Sequence, residues 1–277
     1  MTISKAQRAA YNDEIKIFKT QIENYDKLIK DVLLKKRKNE KLAPYYNLEI
    51  TNYLLESIEQ NIRINELSLS MLGFRNNKSL DMARSSFSRI LQLMKENFGD
   101  EVDRESLKEN EEHLAKVNRL NARQILDMTN RINDVFLSLK NSIGEDSKWK
   151  WLFVELQAKV AIMNRNLINF SDIQKYRDPR TEFFHDRREH LALAKESLEE
   201  SAKLYRTKYE LSSKSREDLK SSIELLEALR KIHMILGESN ESDRLKTTID
   251  AARLNLEAGD KKQDSTEKDK KKAAKKK

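Results

Sequence analysis

Glycine and proline are scarce in this chain, and their scarcity limits the folds open to it. The 277 residues include five Gly and two Pro, whereas average proteins contain about 7% and 5% of these residues. Turns are therefore few and the elements between them are long. Charged residues make up 36% of the chain and hydrophobic residues 38%, a balance typical of long amphipathic helices. We predict an all-α protein: an elongated multi-helix bundle with long antiparallel, coiled-coil-like helices.

Apolar residues near the N-terminus are spaced alternately by four and by three. This helix seam consists of seven residues: Tyr11, Ile15, Phe18, Ile22, Tyr25, Ile29 and Val32. The period of 3.5 is typical of a helix that packs at a shallow angle against another helix, in a bundle or a coiled coil. Because the seam is long, self-association is one way to cover it. We expect the helix to end near Leu42, because Pro44 disfavours helical backbone before it.

The glycines and the second proline divide the rest of the chain. Gly73, Gly99, Gly144 and Gly237 are suited to helix C-termini, and Asp178-Pro179 is suited to a helix start. Asn121 falls on the apolar line of one helix. A polar residue at such a position either fixes the register of helix pairing or is tolerated at the edge of the apolar face. The helices expected after the first cover approximately residues 45–72, 79–98, 103–144, 149–173, 181–236 and 241–258.

The helix at 149–173 is predicted to be the central core helix. It begins in the stretch KWKWLF, whose two tryptophans suggest either a binding surface or a buried helix start. Apolar residues make up 15 of the 25 positions and cover more than half of the helix circumference, which indicates burial on several sides. Trp149 and Trp151 are two positions apart, so they do not form one stacking platform on a helix. We therefore favour the core interpretation.

The segment from Thr181 to Leu236 contains neither Gly nor Pro. It forms either one continuous helix or two helices separated at residues 211–218, which are polar and rich in serine. For the chain as a whole we predict a helical bundle over 1–258, with a subdivision near 144–147 or 176–180. Residues 259–277 form a Lys-rich tail that is predicted to be disordered, since it contains almost nothing to bury.

The positive charge of the chain lies mostly in this tail. The formal net charge is +8, and residues 259–277 hold nine Lys against four acids, so the remaining 258 residues carry only +3. The tail can attract nucleic acid or an anionic membrane by charge, although it lacks the aromatic residues that stack on single strands. Its candidate interaction residues are Lys270, Lys271, Lys272, Lys275, Lys276 and Lys277.

One cluster has the residue types of a metal site. Residues 182–185 form an E-x-x-H motif, and Asp186 and His190 are four positions apart. Di-iron bundles use two such motifs and two further glutamates, but this chain has one motif. The alternative is that the acids favour a helix N-terminus and form local ion pairs. We therefore expect no metal site, and we keep Glu182, His185, Asp186 and His190 as the weak candidate cluster.

The sequence excludes several classes of function. Without cysteine, the chain has no disulfide, thiolate metal site or cysteine nucleophile. It contains no nucleotide-binding or nucleophile-elbow glycine motif, so we expect neither a cofactor nor catalysis. No apolar run approaches the roughly 18 residues that suggest a membrane span, and the N-terminus lacks a signal-peptide core. We expect a cytoplasmic protein.

These exclusions favour a non-enzymatic helical scaffold or adaptor that binds partner proteins through helix faces or grooves. Two alternatives remain open. The first is a nucleic-acid-associated protein anchored by the Lys-rich tail, and the second is a helical bundle that binds membrane surfaces. A homo-oligomer is compatible with the scaffold interpretation.

Overall fold

The computed structural model describes the backbone of residues 4–100, 108–144 and 148–274. Within these ranges the chain is helical and contains no β-strand, as the all-α prediction requires. The helices are α1 Lys5–Glu14, α2 Lys16–Lys38, α3 Ala43–Leu72, α4 Asn77–Phe98, α5 Lys108–Ala115, α6 Ala122–Ile143, α7 Lys150–Asn166, α8 Phe170–Lys175, α9 Phe184–Lys208, α10 Arg216–Leu236 and α11 Ser239–Ala274. None of the described helices combines the length and apolar character needed to cross a bilayer.

The chain divides into two compact units, Met1–Leu191 and Ala192–Lys277. The division lies within α9, C-terminal to both 144–147 and 176–180, where the sequence suggested a subdivision. Residues 145–147 lie outside the described part of the chain.

In the first unit, the helix seam packs along α3. Tyr11, Ile15 and Ile22 are buried in one cluster with Ile64 of α3, while Ile29 and Val32 belong to the main core. Between these clusters the rings of Tyr25 and Tyr53 are stacked with centroids 6.2 Å apart. The seam is therefore covered by a helix of the same chain.

The main core lies where α3, α4, α6 and α7 meet. Phe136 of α6 connects two of these helices, since its ring lies 5.2 Å from Phe87 of α4 and 6.0 Å from Phe153 of α7. Trp149 precedes α7, and its ring is covered by the guanidinium of Arg84 at 4.3 Å. In KWKWLF, Phe153 is thus a core residue and Trp149 packs at the edge of the core.

The first predicted helix is divided at Ile15 into α1 and α2 and ends at Lys38 instead of near Leu42. Two further helices predicted as continuous are interrupted. The predicted 149–173 helix was too long, because α7 ends at Asn166 and Asn169 caps α8 by accepting a hydrogen bond from the Asp172 N–H at 3.0 Å. The predicted 103–144 helix was wrong in the same way, since α5 ends at Ala115 and α6 begins at Ala122. Asn121 is therefore a helix cap and not a seam residue. Asp103 lies outside the described residues.

The start of α9 was also predicted too early. Asp178 forms a turn instead, in which its carboxylate accepts hydrogen bonds from the backbone and side chain of Arg180. The chain then passes through Phe183, whose φ of 58° is left-handed, and α9 begins at Phe184. A left-handed conformation at a bulky residue is uncommon and costs free energy.

The second unit consists of the C-terminal part of α9 with α10 and α11. The 181–236 segment is two helices, interrupted by a π-helical turn at Tyr209–Ser213 and by Lys214 at a φ of 50°. Lys208 and Asp218 form an ion pair across this break, with Nζ and Oδ1 2.9 Å apart and both side chains largely buried. The side chains of the candidate tail residues, from Lys270 to Lys277, lie outside the described part of the chain, so the interactions predicted for them stay predictions.

Candidate functional site

A cavity of about 440 Å³ lies in the first unit, where α5, the start of α6, α8 and the start of α9 come together. We call it the groove. Its floor is apolar and buried, and it is formed by Leu114, Val117, Ile168 and Ile173. Its rim is exposed and polar, and includes Glu111, Asn118 and Asn121. The groove thus combines an apolar floor with a polar rim that faces solvent.

The interruptions of the helices create the groove. Asn121 accepts a hydrogen bond from the Gln124 N–H at 2.9 Å, and the Gln124 side chain accepts one from the Asn121 N–H at 3.0 Å. This reciprocal capping box fixes the start of α6. Asn169 fixes the start of α8 in a similar way. Both capping residues line the groove, so the breaks that the periodicity did not predict define its shape.

Phe183, which directly precedes α9, and Arg187 and His190 of its first turns line the groove. Arg187 and His190 are three positions apart, which places their side chains on one side of α9. The left-handed backbone of Phe183 lies at the beginning of this series. Strained backbone conformations cluster at binding and catalytic sites, so this strain is a second reason to consider the groove functional.

Arg187 is the cation of the groove. Its guanidinium lies 4.6 Å from the centroid of the Tyr176 ring, and its Nη1 donates a hydrogen bond to the Glu182 carbonyl at 2.8 Å. Its Nε is buried and has no hydrogen-bond partner. Within the described part of the chain, no carboxylate forms an ion pair with Arg187. One charged group in the groove therefore has unused hydrogen-bonding capacity.

His190 is buried beneath the groove. Its Nε2 lies 2.9 Å from the backbone carbonyl of Asn164, and because a carbonyl only accepts, this nitrogen carries the proton and Nδ1 carries the lone pair. Burial lowers the pKa of His190 from 6.5 to about 4, although the hydrogen bond to Asn164 opposes the shift. The imidazole is therefore neutral at pH 7, and it is a poor general base there.

A network of amides supports His190 from α6 and α7. Asn133 and Asn164 exchange two side-chain hydrogen bonds of 3.0 and 3.2 Å, and Asn133 also donates to the Thr129 carbonyl at 2.8 Å. Since Asn164 is fully buried and supplies the carbonyl that binds His190, this network fixes the position of the imidazole. The imidazole is thereby held in place from the side of α7.

The weak metal cluster does not come together. The carboxylate of Asp186 lies 3.6 Å from Arg123, the exposed His185 ring contacts Phe184 edge-on, and His190 is bound to Asn164. Glu182 is exposed, and its backbone carbonyl accepts from Arg187. Among the described residues there is no group of three or more His, Asp or Glu placed to hold a metal ion.

Sequence reasoning singled out His190 but assigned it to the metal cluster, and it did not identify the groove. Arg187 was considered only as a partner in local ion pairs, which it does not form. One signal was present in the sequence, because Asn121 followed three positions later by Gln124 matches a capping box. No local pattern indicates that Tyr176 stacks on Arg187, since that contact depends on how the turn at 176–183 folds.

Comparison with known proteins gave one match. Neither the curated proteins nor the solved structures included a significant match to this chain. The family model named TP0443 matches residues 7–260, which include most of both compact units. The chain therefore belongs to the TP0443 family.

Proposed function

We propose that this protein is a non-enzymatic helical adaptor and that the groove docks an apolar segment of a partner protein. The observation that carries the proposal is the anatomy of the groove, with its buried apolar floor and its exposed polar rim. Protein interfaces have this arrangement, in which a desolvated apolar centre is surrounded by polar residues that exclude water.

The dimensions of the groove support this proposal. Its volume of about 440 Å³ is within the range of approximately 300–1,000 Å³ found for binding pockets. That volume accommodates a few side chains of a docked segment and not a whole helix. We therefore expect the groove to hold the anchor residues of a larger interface that continues over the exposed rim.

The chemistry of the groove supports binding more than catalysis. His190 is a poor base at neutral pH because burial holds its pKa near 4, and its Nε2 is committed to the Asn164 carbonyl. The acid Glu111 accepts a hydrogen bond from the Ser171 hydroxyl. These groups are held in fixed positions by the protein itself, as expected of a rigid docking site.

The experiment is affinity capture from nuclease-treated native lysate with the full chain. The variant Ile125→Glu places a charge in the groove lining, where Ile125 is half-buried. The matched control is Leu137→Glu on the same helix, at a side chain that is 55% exposed and lies outside the groove. We expect a partner that wild type and the control variant retain and Ile125→Glu loses.

A truncation to residues 1–258 separates the adaptor from the tail-anchored alternatives. The adaptor proposal predicts that the truncated chain retains the same partner. It is contradicted if recovery requires both the tail and intact nucleic acid, or if Ile125→Glu and wild type capture the same proteins in equal amounts.

A further inference from the structure

The unused lone pair of His190 shows which chemistry an occupant of the groove must supply. The ring lines the groove and the residue is only 5% exposed. Its Nε2 donates to the Asn164 carbonyl at 2.9 Å, which leaves the lone pair on Nδ1. Within the described part of the chain no group donates to Nδ1, and this atom is not sealed from solvent. A donor that enters the groove can therefore reach it.

A buried acceptor favours an occupant that carries a donor. An occupant that covers the groove removes water from Nδ1 of His190, and a buried acceptor without a partner costs free energy. An occupant that places an N–H or O–H at this atom avoids the cost, whereas an apolar occupant of the same shape incurs it. The groove therefore discriminates between occupants of one shape by a single hydrogen bond.

The charges of the lining favour a neutral occupant. Glu111 and Asp172 contribute two carboxylates to the groove, and Arg187 contributes one guanidinium. A cationic side chain in the groove would face the guanidinium, and an anionic side chain would face the carboxylates. Because the desolvation of a charge is costly unless that charge is fully paired, a neutral donor avoids the penalty that either kind of ion would meet.

The position of His190 restricts the shape of that donor. The imidazole borders a groove whose floor is formed by aliphatic side chains, among them Leu114, Val117 and Ile168. A donor reaches a ring in such a place at the far end of an apolar body, and Trp and Tyr combine the two. Both are enriched among the residues that dominate binding at interfaces. The indole N–H only donates, whereas a phenol hydroxyl also accepts, so indole matches the lone pair of Nδ1 without adding an acceptor.

We propose that the groove is a tryptophan-anchor site: it takes a Trp side chain of the partner, whose indole ring packs on the apolar floor and whose N–H donates to Nδ1 of His190. This proposal rests on the proposed adaptor function, because it specifies the residue that anchors the docked segment. The volume of about 440 Å³ is sufficient for a bicyclic ring, since pockets of approximately 300–1,000 Å³ enclose drug-sized ligands.

Nuclear magnetic resonance of the histidine side chains in the isotope-labelled full chain tests the proposal. The probes are N-acetyl-tryptophan amide and N-acetyl-benzothienylalanine amide, in which sulfur replaces the indole N–H and the shape of the ring hardly changes. We expect the tryptophan probe to move the Nδ1 signal of His190 to lower frequency, as occurs when an imidazole nitrogen accepts a hydrogen bond. The tryptophan probe should bind about fivefold more tightly than the benzothienyl probe, as for one neutral hydrogen bond.

Three variants connect the effect to the imidazole and to the groove. His190→Leu removes the acceptor and should abolish the preference for the tryptophan probe, whereas the control His185→Leu, at an exposed position on the same helix, should keep it. Ile125→Glu should weaken the binding of both probes, because Ile125 lines the groove. The indole signals of Trp149 and Trp151, which lie in the same unit, show whether each variant is folded. Equal binding of the two probes to wild type, or no binding of either, would overturn the proposal.

Two further probes test the choice of occupant. Binding of free tryptophan more tightly than the capped probe would overturn the assignment to a partner segment, because the free amino acid carries the two charges that a segment lacks. Tighter binding of N-acetyl-tyrosine amide than of the tryptophan probe would overturn the assignment to indole. Failure of the probe experiment together with groove-dependent capture of a partner would reject the tryptophan anchor alone. Loss of groove-dependent capture would reject the adaptor function itself.

Discussion

The buried imidazole of His190 makes a defined contribution to the pH dependence of folding. Its pKa is lowered to about 4 by burial, against 6.5 for an exposed imidazole. Between these values the unfolded chain binds a proton that the folded chain does not. The free energy of unfolding therefore falls as the pH is lowered from 6.5 to about 4, and this contribution is fully lost below pH 4.

The size of the effect follows from the separation of the two pKa values. A separation of about 2.5, at about 1.36 kcal/mol for each pKa unit, amounts to about 3 kcal/mol of the unfolding free energy. The variant His190→Gln removes the titrating group and keeps a side-chain N–H that can donate to the Asn164 carbonyl. Its unfolding free energy should therefore depend less on pH than that of wild type, by about 3 kcal/mol between pH 7 and pH 4.

Denaturant unfolding at several pH values, followed by tryptophan fluorescence, measures this difference. Both tryptophans lie in the first unit together with His190, so the signal reports on the relevant part of the chain. The control is His185→Gln, at an exposed histidine on the same helix, which should keep the wild-type pH dependence. A difference between wild type and His190→Gln that stays constant from pH 7 to pH 4 would refute the reasoning.

Three further predictions concern stability, each measured by denaturant unfolding. Asn121→Ala should lower the unfolding free energy by about 1 kcal/mol, because it removes the cap of α6; an unchanged value would contradict the capping role. Asp218→Asn should lower the unfolding free energy by about 3 kcal/mol, because it removes the carboxylate that pairs with the largely buried Lys208 ammonium. The double variant Lys208→Met/Asp218→Leu should recover much of that loss, and equal losses in both variants would contradict the ion-pair account. Lys214→Gly should raise the unfolding free energy by about 1 kcal/mol, because glycine adopts the left-handed backbone without steric cost. The control variant Lys220→Gly, inside α10, should lower the unfolding free energy. A decrease in both variants would show that strain at Lys214 is unimportant.

Helix content and the larger breaks could be predicted from the sequence because both depend on local patterns. Gly73 and Gly237 have left-handed φ values of 74° and 75° at helix ends, a conformation that glycine adopts without steric cost. The heptad spacing correctly marks one face of α1 and α2, and α3 covers that face. These features are encoded over a few residues, so a single sequence is enough to identify them.

The missed features depend on side chains that compete with the helical pattern. Asn121 and Asn169 interrupt apolar lines that continue beyond them, since a side-chain amide can satisfy the N–H groups of a new helix and thereby end the preceding one. Phe183 adopts a left-handed backbone that its own chemistry disfavours, so tertiary packing determines the start of α9. The groove lies where these three exceptions meet, and periodicity therefore did not predict it.

Photocrosslinking from inside the groove tests the central claim most directly. A photoreactive amino acid at Asn118, on the groove rim, is compared with one at Leu137 on the outer face of α6, in native lysate treated with nuclease. The account predicts crosslinks from Asn118 to one partner segment that carries apolar side chains, with none to that segment from Leu137. Identical crosslinks from both positions, or none from Asn118, would contradict it.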